Sequence, residues 1–319
     1  MAPKVPKAFL QAVATHRNRL ERVAVGGALG PLKKVYEDAQ AALVSRVAKA
    51  VKAKRGDTFT VHQQRQALVQ LREGQRLITQ RLAGKMGPLS VKASEASLKG
   101  LAGDVARLSK HFTGSELTLP VEEASVFAGV IQRRAPSMLR QHATSMARYG
   151  VNIVQKVEQG LAVTLLKGES SSEAMDGVAE LIDGEWWQGE RIVRTEMAYA
   201  FNATHADGMV ESAAALPSLR MRWEEHCDND GEPLDDRVAV DSLAMHGQVT
   251  IPGGSFTMPP TSPVATPGKK GGTIVPAALV GLSWEFPPNR PNDRAVLSPW
   301  MEDWGVPGWL WAGGKRLYL

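Results

Sequence analysis

Apolar side chains recur at helical spacing through the first 165 residues, where the alternation typical of strands is almost absent. The segment is rich in Ala, Leu, Gln, Arg and Lys, which favour helix. One such stripe consists of Val61, Leu68, Leu71, Ile78 and Leu82. Glycine and proline clusters interrupt the pattern and predict boundaries between several helices. These clusters are Gly26-Gly27, Gly30-Pro31, Arg55-Gly56-Asp57 and Met86-Gly87-Pro88.

A longer amphipathic helix is predicted after Pro136, because apolar residues again follow one stripe. The stripe consists of Met146, Ile153, Val157, Leu161 and Leu165. This helix is predicted to end at Gly168. Ser170 and Glu173 then have the spacing of a capping box, which predicts that a short helix follows.

The pattern changes near Pro217, which ends a further helix predicted over about residues 190–215. Three segments beyond it alternate like strands and are joined by Gly- and Pro-rich connections. They are residues 219–226, 246–251 and 279–286. Residues 252–276 are so rich in Pro and Gly that we expect a long exposed loop.

The last twenty residues hold four of the eight tryptophans. So many large rings predict that this tail is docked on another surface or contacts a partner. The sequence therefore predicts an α+β fold in three parts: an extended, mainly α-helical region over residues 1–165, a small α+β domain over 166–300, and a Trp-rich tail over 301–319.

The net charge of +5 is unevenly distributed along the chain. Residues 1–100 contain nineteen Lys and Arg against six Asp and Glu, a net charge of +13, and the remainder carries −8. A basic helical half beside an acidic half is typical of a protein that meets a polyanion or an acidic partner. A set of solvated helix faces would give the same pattern.

Composition excludes several classes of protein. No run of eighteen apolar residues exists, so no membrane span is predicted, and the first twenty residues lack the apolar stretch of a secretory signal. Cys227 is the single cysteine, which excludes an internal disulfide and a zinc site built mainly of thiolates.

A charged segment over residues 235–247 contains three carboxylates, an arginine and His246, which suits a metal site, an acid–base pair or a loop held by its own charges. A calcium loop starting at His226 would need a bidentate glutamate where Arg237 stands, so no EF-hand is predicted. His226, Cys227 and His246 do not have the spacing of a standard zinc site. Cys227 is also a poor nucleophile, because the acids around it would raise its pKa.

The helix near residue 195 contains a second cluster of polar residues. Thr195 and Asn202 are seven residues apart and share one face of the helix. Arg194 and Glu196 are two apart and point to different sides, so they cannot pair with each other. We expect each to find a partner elsewhere, with the Asp235–Arg237 turn and Arg294 as candidates.

The order of these motifs resembles the Mu F-like phage head morphogenesis family. The pattern is Arg-Thr-Glu with an asparagine six residues after its Glu, a strand containing Trp, a D-D-R motif, H-G, and P-P followed by R-P-N-D-R. It covers about residues 150–300. The motif positions in register are Arg194, Thr195, Glu196, Asn202, Asp236, Arg237, His246, Gly247, Asn292 and Arg294.

The resemblance includes one consistent departure. Members of that family often carry two pairs of cysteines suited to zinc, and here those positions hold Ala239 and Ser242, then Asp293 and Ala295. Because all four thiols are missing together, we expect no metal and no cofactor. The charged loop is then predicted to organise the fold through carboxylate–arginine pairing, and Asp236 and Arg237 to be structural rather than catalytic.

The resemblance implies a minor head protein of a tailed bacteriophage. Such a protein acts in head morphogenesis near the portal and in DNA packaging or delivery; it belongs to the virion head and is assembled in the host cytoplasm. Its partners would be the portal or major capsid protein, with packaged DNA near the basic half and no base-specific contacts. Two alternatives stay open: a transferase- or toxin-like enzyme, suggested by the paired glutamates at Glu224 and Glu225, and a stand-alone DNA-binding protein.

Overall fold

The fold was analysed in a computed structural model, which describes residues 5–52, 57–225, 227, 240–265, 272–288, 293, 295–312 and 315–319. The chain is mainly helical with small antiparallel sheets near its C-terminal end, which confirms the predicted α+β class. Among the described residues, none of the helices combines the length and apolar composition that a membrane span requires.

The helices follow the predicted order. They are α1 (Lys7–Glu21), α2 (Gly30–Val51), α3 (Val61–Thr113), α4 (Ala124–Lys167), α5 (Ser171–Asp183), α6 (Trp186–Ser212) and α7 (Val240–Met245). The Gly26-Gly27 pair does not stop the helical backbone, because it lies within a π-helical stretch over Arg22–Leu29. The predicted boundary at Gly30-Pro31 is the start of α2, with proline in its first turn, where no N–H is needed.

Two predicted boundaries at proline are wrong. Helix α3 runs through Met86-Gly87-Pro88, and α4 runs through Pro136 instead of starting after it. A proline inside a helix removes one backbone hydrogen bond. Apolar side chains beside each proline, Met86 and Met138, are almost fully buried, and their packing offsets that loss.

The predicted end of α4 and start of α5 are confirmed. Gly168 follows the last residue of α4 with a φ of +68°, a conformation that glycine adopts without strain. The Ser170 side chain accepts a hydrogen bond from the backbone N–H of Glu173, whose carboxylate accepts one in return from the N–H of Ser170. Helix α6 starts and ends a few residues before the predicted bounds of 190 and 215.

The three predicted strand segments each contain a strand. β1 (Arg220–Glu224) is the central strand of an antiparallel sheet, between β2 (Val249–Thr250) and β7 (Val296–Trp300). The remaining strands form two-stranded pairs: β3 (Phe256–Thr257) with β6 (Ser283–Trp284), β4 (Thr261–Ala265) with β5 (Gly272–Ile274), and β8 (Trp309–Ala312) with β9 (Lys315–Tyr318). The prediction that residues 252–276 lack regular structure is therefore wrong in part, because β3, β4 and β5 lie there.

The chain divides into two compact units that are interleaved in the sequence. One unit, called the sheet unit, contains residues 1–24, 90–135 and 197–319, and the other, called the helical unit, contains 25–89 and 136–196. The division into residues 1–165, 166–300 and 301–319 stays a prediction about functional organisation.

The core of the sheet unit forms around β1 and β7. Trp223 on β1 is fully buried and meets Phe256 edge-on at 5.3 Å between ring centres. Three tail tryptophans belong to the same core: Trp300, Trp304 and Trp309 are each at most 5% exposed. The structure thus shows the first of the two predicted alternatives for these three rings: they are docked on another surface of the protein.

The core of the helical unit has two tyrosines at its centre. The Tyr36 hydroxyl donates to the carbonyl oxygen of Ile182 at 2.8 Å, and that of Tyr149 donates to the carbonyl oxygen of Glu185 at 3.0 Å. Both rings are almost fully buried, and each hydroxyl satisfies a backbone group. These bonds tie α2 and α4 to the α5–α6 junction.

Candidate functional site

The Arg-Thr-Glu residues lie on α6 in the helical unit, and each has the separate partner that helix geometry requires. Arg194 pairs with Glu190 one turn earlier, at 2.9 Å, and the Thr195 hydroxyl donates to the carbonyl of Arg191. Glu196 is 3% exposed and accepts from two side chains of α4. These are the Nδ1 of His142 at 2.9 Å and the hydroxyl of Ser145 at 2.7 Å.

Asn202 fixes α6 to the start of β7 within the sheet unit. Its side-chain nitrogen donates to the carbonyl oxygen of Ala295 at 3.2 Å, and its side-chain oxygen accepts from the N–H of Leu297 at 3.1 Å. All three residues are fully buried. A carboxamide offers one donor and one acceptor side by side, so it satisfies two backbone groups at once.

Strand β1 carries a buried ion pair. Met221 and Trp223 share one face of the strand, and Arg222 and Glu224 share the other. Arg222 and Glu224 are at most 3% exposed and form a salt bridge, and Ser298 on β7 donates to Glu224 at 3.1 Å. Burial lowers the pKa of Arg222 to about 9, so the guanidinium stays charged opposite Glu224 at neutral pH.

His246 lies beside this pair and is neutral. Its Nδ1 accepts from the backbone N–H of Glu225 at 3.1 Å, so the proton of the imidazole is on Nε2. Burial, together with the positive charges of Arg222 and Arg17, lowers the pKa of His246 to about 3. The side chain therefore serves as a hydrogen-bond acceptor at pH 7 and is not poised to exchange protons there.

Gly247 is the one position of the motif where only glycine fits. Its φ is +79°, and its N–H donates to the carbonyl of Trp223 at 2.8 Å. An added Cβ would lie 3.2 Å from Nε1 of Trp309 and 3.3 Å from Nη2 of Arg222. Backbone conformation and lack of space thus both require glycine here.

Two positions that align with the cysteines of the resembled family meet in the structure. The Ser242 hydroxyl lies 3.1 Å from Oδ1 of Asp293, and the same hydroxyl is hydrogen-bonded to Glu225. Oδ1 of Asp293 also accepts from the N–H of Ala295 at 3.0 Å. The Ser242 hydroxyl has a single hydrogen, which it donates to one carboxylate at a time or shares between the two, and this contact brings the residues before β7 next to α7 and to the end of β1.

These residues form one set, which we call the buried polar cluster: Asn202, Arg222, Glu224, Glu225, Ser242, His246, Gly247 and Asp293. Of the predicted site residues, Asn202, His246 and Gly247 belong to it, whereas Arg194, Thr195 and Glu196 belong to the helical unit. Asp236, Arg237, Asn292 and Arg294 lie outside the described residues, as do His226 and the Asp235–Arg237 turn.

Sequence reasoning missed the charged members of the cluster on β1. Arg222 and Glu224 stand at alternate positions, a pattern that predicts a solvated strand face as readily as a buried pair. The paired glutamates are accounted for separately, since Glu224 binds Arg222 and Glu225 binds Ser242. Arg17 on α1 also contacts the cluster, donating to the carbonyl of Glu225 at 2.8 Å. No signal in the sequence indicates this contact.

A second buried polar group in the sheet unit was also missed. The rings of His16 and His205 are fully buried, with 4.3 Å between their centres. Nδ1 of His16 is 3.5 Å from Asp104, which pairs with Arg19 at 2.7 Å. Burial lowers the pKa of both histidines, so both are neutral at pH 7.

Within the described part of the chain, no group of three His, Cys, Asp or Glu side chains is arranged to hold a metal ion. Comparisons of the chain with protein-family models, with curated proteins and with solved structures found no match.

Proposed function

We propose that this chain is a non-catalytic minor head protein of a tailed bacteriophage, acting in head morphogenesis near the portal and in packaging or delivery of DNA. The observation that carries the proposal is the convergence of separate motif segments in the buried polar cluster. Asn202 binds the residues after the P-N-D-R motif, and Ser242 meets Asp293 across two segments fifty-one residues apart.

The convergence matters because no single motif segment is specific to a family on its own. In the resembled family, the positions of Ser242 and Asp293 are often cysteines suited to zinc. A hydrogen-bonded hydroxyl and carboxylate at those positions can connect the same segments without metal. This explains how the thiols can be absent together while Asn202 and Gly247 keep their structural roles.

Burial of the cluster supports a structural role rather than catalysis. Glu224, Glu225 and Asp293 are at most 5% exposed and are hydrogen-bonded within the protein. His246, the residue best suited to acid–base chemistry, is neutral at pH 7 and accepts a backbone hydrogen bond. A general acid or base must reach its substrate, and the three carboxylates are enclosed.

The proposed partners are the portal or major capsid protein, with packaged DNA close to the same surface. Supporting this, the helical unit exposes basic side chains that have no carboxylate partner among the described residues. They are Lys34, Arg46 and Lys49 on α2, Lys52 directly after it, and Arg65, Arg81 and Lys85 on α3. Such side chains suit an acidic protein surface or phosphates without regard to base sequence.

Purified virions from a host that carries this gene test the proposal. We expect mass spectrometry to find the protein in them at a few copies per particle, and cross-linking to join its basic helices to the portal or capsid protein. A virion preparation without the protein would overturn the proposal. A gene position far from portal and capsid genes would also count against it.

Titration with duplex DNA distinguishes the two kinds of partner. Affinity that falls steeply with salt and does not depend on base sequence would make DNA the primary partner of the helical unit. No binding at low salt would leave the portal or capsid protein.

A further inference from the structure

A groove in the helical unit separates two walls of different chemistry. Its volume is about 430 Å³, within the range of ligand sites. The α3 wall is polar and consists of Arg72, Gln75, Arg76 and Thr79. The α4 wall is mostly apolar and consists of Ala147, Gly150, Val151, Val154, Gln155 and Glu158. Each set follows the i, i+3, i+4, i+7 spacing of one helix face.

Gln75 is the residue that points to an occupant. It is 1% exposed, and neither its side-chain nitrogen nor its side-chain oxygen has a hydrogen-bond partner among the described residues. A buried carboxamide without partners costs free energy, about 1–3 kcal/mol for each unsatisfied group. Gln75 also contributes to the lining of the groove. Once its side chain turns toward the groove, an occupant that offers a donor and an acceptor side by side would satisfy both atoms.

The charges of the groove favour a carboxylate over a polyanion. Arg72 is paired with Glu158 across the groove at 3.3 Å. Arg76, one turn along α3, has no carboxylate within ion-pair distance in the described part of the chain. Two arginines and one glutamate leave a single positive charge, and Glu158 would repel a run of phosphates.

We propose that this groove binds an extended, acidic segment of a partner protein. The backbone N–H and C=O of such a segment would pair with the Gln75 carboxamide, which a helix cannot do because its backbone groups are already bonded. Side chains of an extended peptide alternate between two sides. Acidic ones would face Arg76 on the α3 wall, and apolar ones Val151 and Val154 on the α4 wall.

The length of the groove also fits an extended segment. Residues 147 to 158 of α4 line the groove over about 16 Å at 1.5 Å per residue. An extended segment of about five residues spans that distance. The groove is lined by residues 72–79 and 147–158 of the helical unit alone, so the inference does not depend on the proposed role in phage heads.

Fluorescence anisotropy with the full-length protein tests the proposal. The probe is a rhodamine-labelled eight-residue peptide that alternates Val and Glu, and its counterpart has Gln in place of Glu. We expect the Glu peptide to bind about tenfold more tightly than the Gln peptide, the effect of one partly desolvated ion pair.

Three variants assign the binding to the groove. Arg76→Glu should weaken binding of the Glu peptide at least about tenfold. Lys99→Glu, the matched control, makes the same charge change on an exposed residue of α3 far along the helix from the groove and should leave affinity within about twofold. Gln75→Leu should weaken binding without lowering the melting temperature, because it removes a buried amide that has no partner.

Each other outcome overturns the inference. Equal losses in Lys99→Glu and Arg76→Glu would mean general attraction to a basic surface. A Gln75→Leu variant that melts at lower temperature but binds normally would make Gln75 a structural residue only. Displacement of the peptide by duplex DNA would assign the groove to nucleic acid, and no binding of either peptide would leave it without the proposed occupant.

Discussion

Replacing Asn202 by alanine should lower the free energy of unfolding of the sheet unit by about 2–4 kcal/mol. The substitution removes both hydrogen bonds by which α6 holds β7, one to the carbonyl of Ala295 and one from the N–H of Leu297. Both backbone groups belong to fully buried residues, so water cannot replace the lost partner. At about 1–2 kcal/mol for each unpaired group, the lower part of the usual range, the two groups together give the expected total.

Urea unfolding followed by tryptophan fluorescence measures this loss. Six of the eight tryptophans lie in residues 197–319, so the signal reports mainly on the sheet unit. With a slope of about 2 kcal/mol per molar urea, the middle of the usual range for small proteins, the midpoint should fall by about 1–2 M.

Ser212→Ala is the matched control for Asn202→Ala. Ser212 is a fully buried polar residue of the same helix, but its hydroxyl donates to the carbonyl of Gly208 within the helix, so its removal orphans no backbone group. The reasoning is refuted if Asn202→Ala unfolds within about 0.5 kcal/mol of the parent, or if Ser212→Ala loses as much stability.

Further predictions concern the same clusters. Gly247→Ala should lower stability by about 1–3 kcal/mol. Gly305→Ala should cost less, because the φ of Gly305 is also positive but its added Cβ would meet nothing within 4 Å. Equal melting temperatures of the two variants would contradict the argument that Trp309 and Arg222 crowd a Cβ at position 247. Glu196→Ala should cost about 2–4 kcal/mol in thermal unfolding because it removes the buried carboxylate to which His142 and the partly buried Ser145 donate, and Glu196→Gln less. Since burial lowers the pKa of His16 and His205 in the folded state, the unfolded chain takes up protons first as the pH falls below about 6.5. Stability should therefore be greatest above about pH 6.5 and fall below it, by at most about 1.4 kcal/mol per histidine per pH unit; a flat urea midpoint from pH 7.5 to 5 would contradict this. Elemental analysis of the purified protein should find no stoichiometric zinc. About one metal ion per chain would contradict the inference, drawn from the four missing cysteines, that this chain has no zinc site.

Local signals in the sequence predicted local structure well. The end of α4 at Gly168 and the capping box at Ser170 depend on a few neighbouring residues, and both were confirmed. Pro88 and Pro136 gave equally local signals, yet the helices continue through them. Their continuation depends on the burial of side chains such as Met86 and Met138, and a single sequence does not show what those side chains pack against.

The same limit explains which site residues could be identified. Helix geometry correctly excluded a pair between Arg194 and Glu196, but it could not name His142, fifty-four residues before Glu196, as a partner. Asn202 and Gly247 were named through the family resemblance, and in the structure each satisfies a constraint of the backbone that few residue types can meet. The sequence did not identify Arg222, whose charge is satisfied by the side chain of Glu224. Two apolar residues can stand at the positions of such an ion pair in a strand, so neither position is restricted to one residue type. A motif read from one sequence therefore identifies the residues that hold the backbone, whereas ion pairs between side chains become visible only when the fold brings them together.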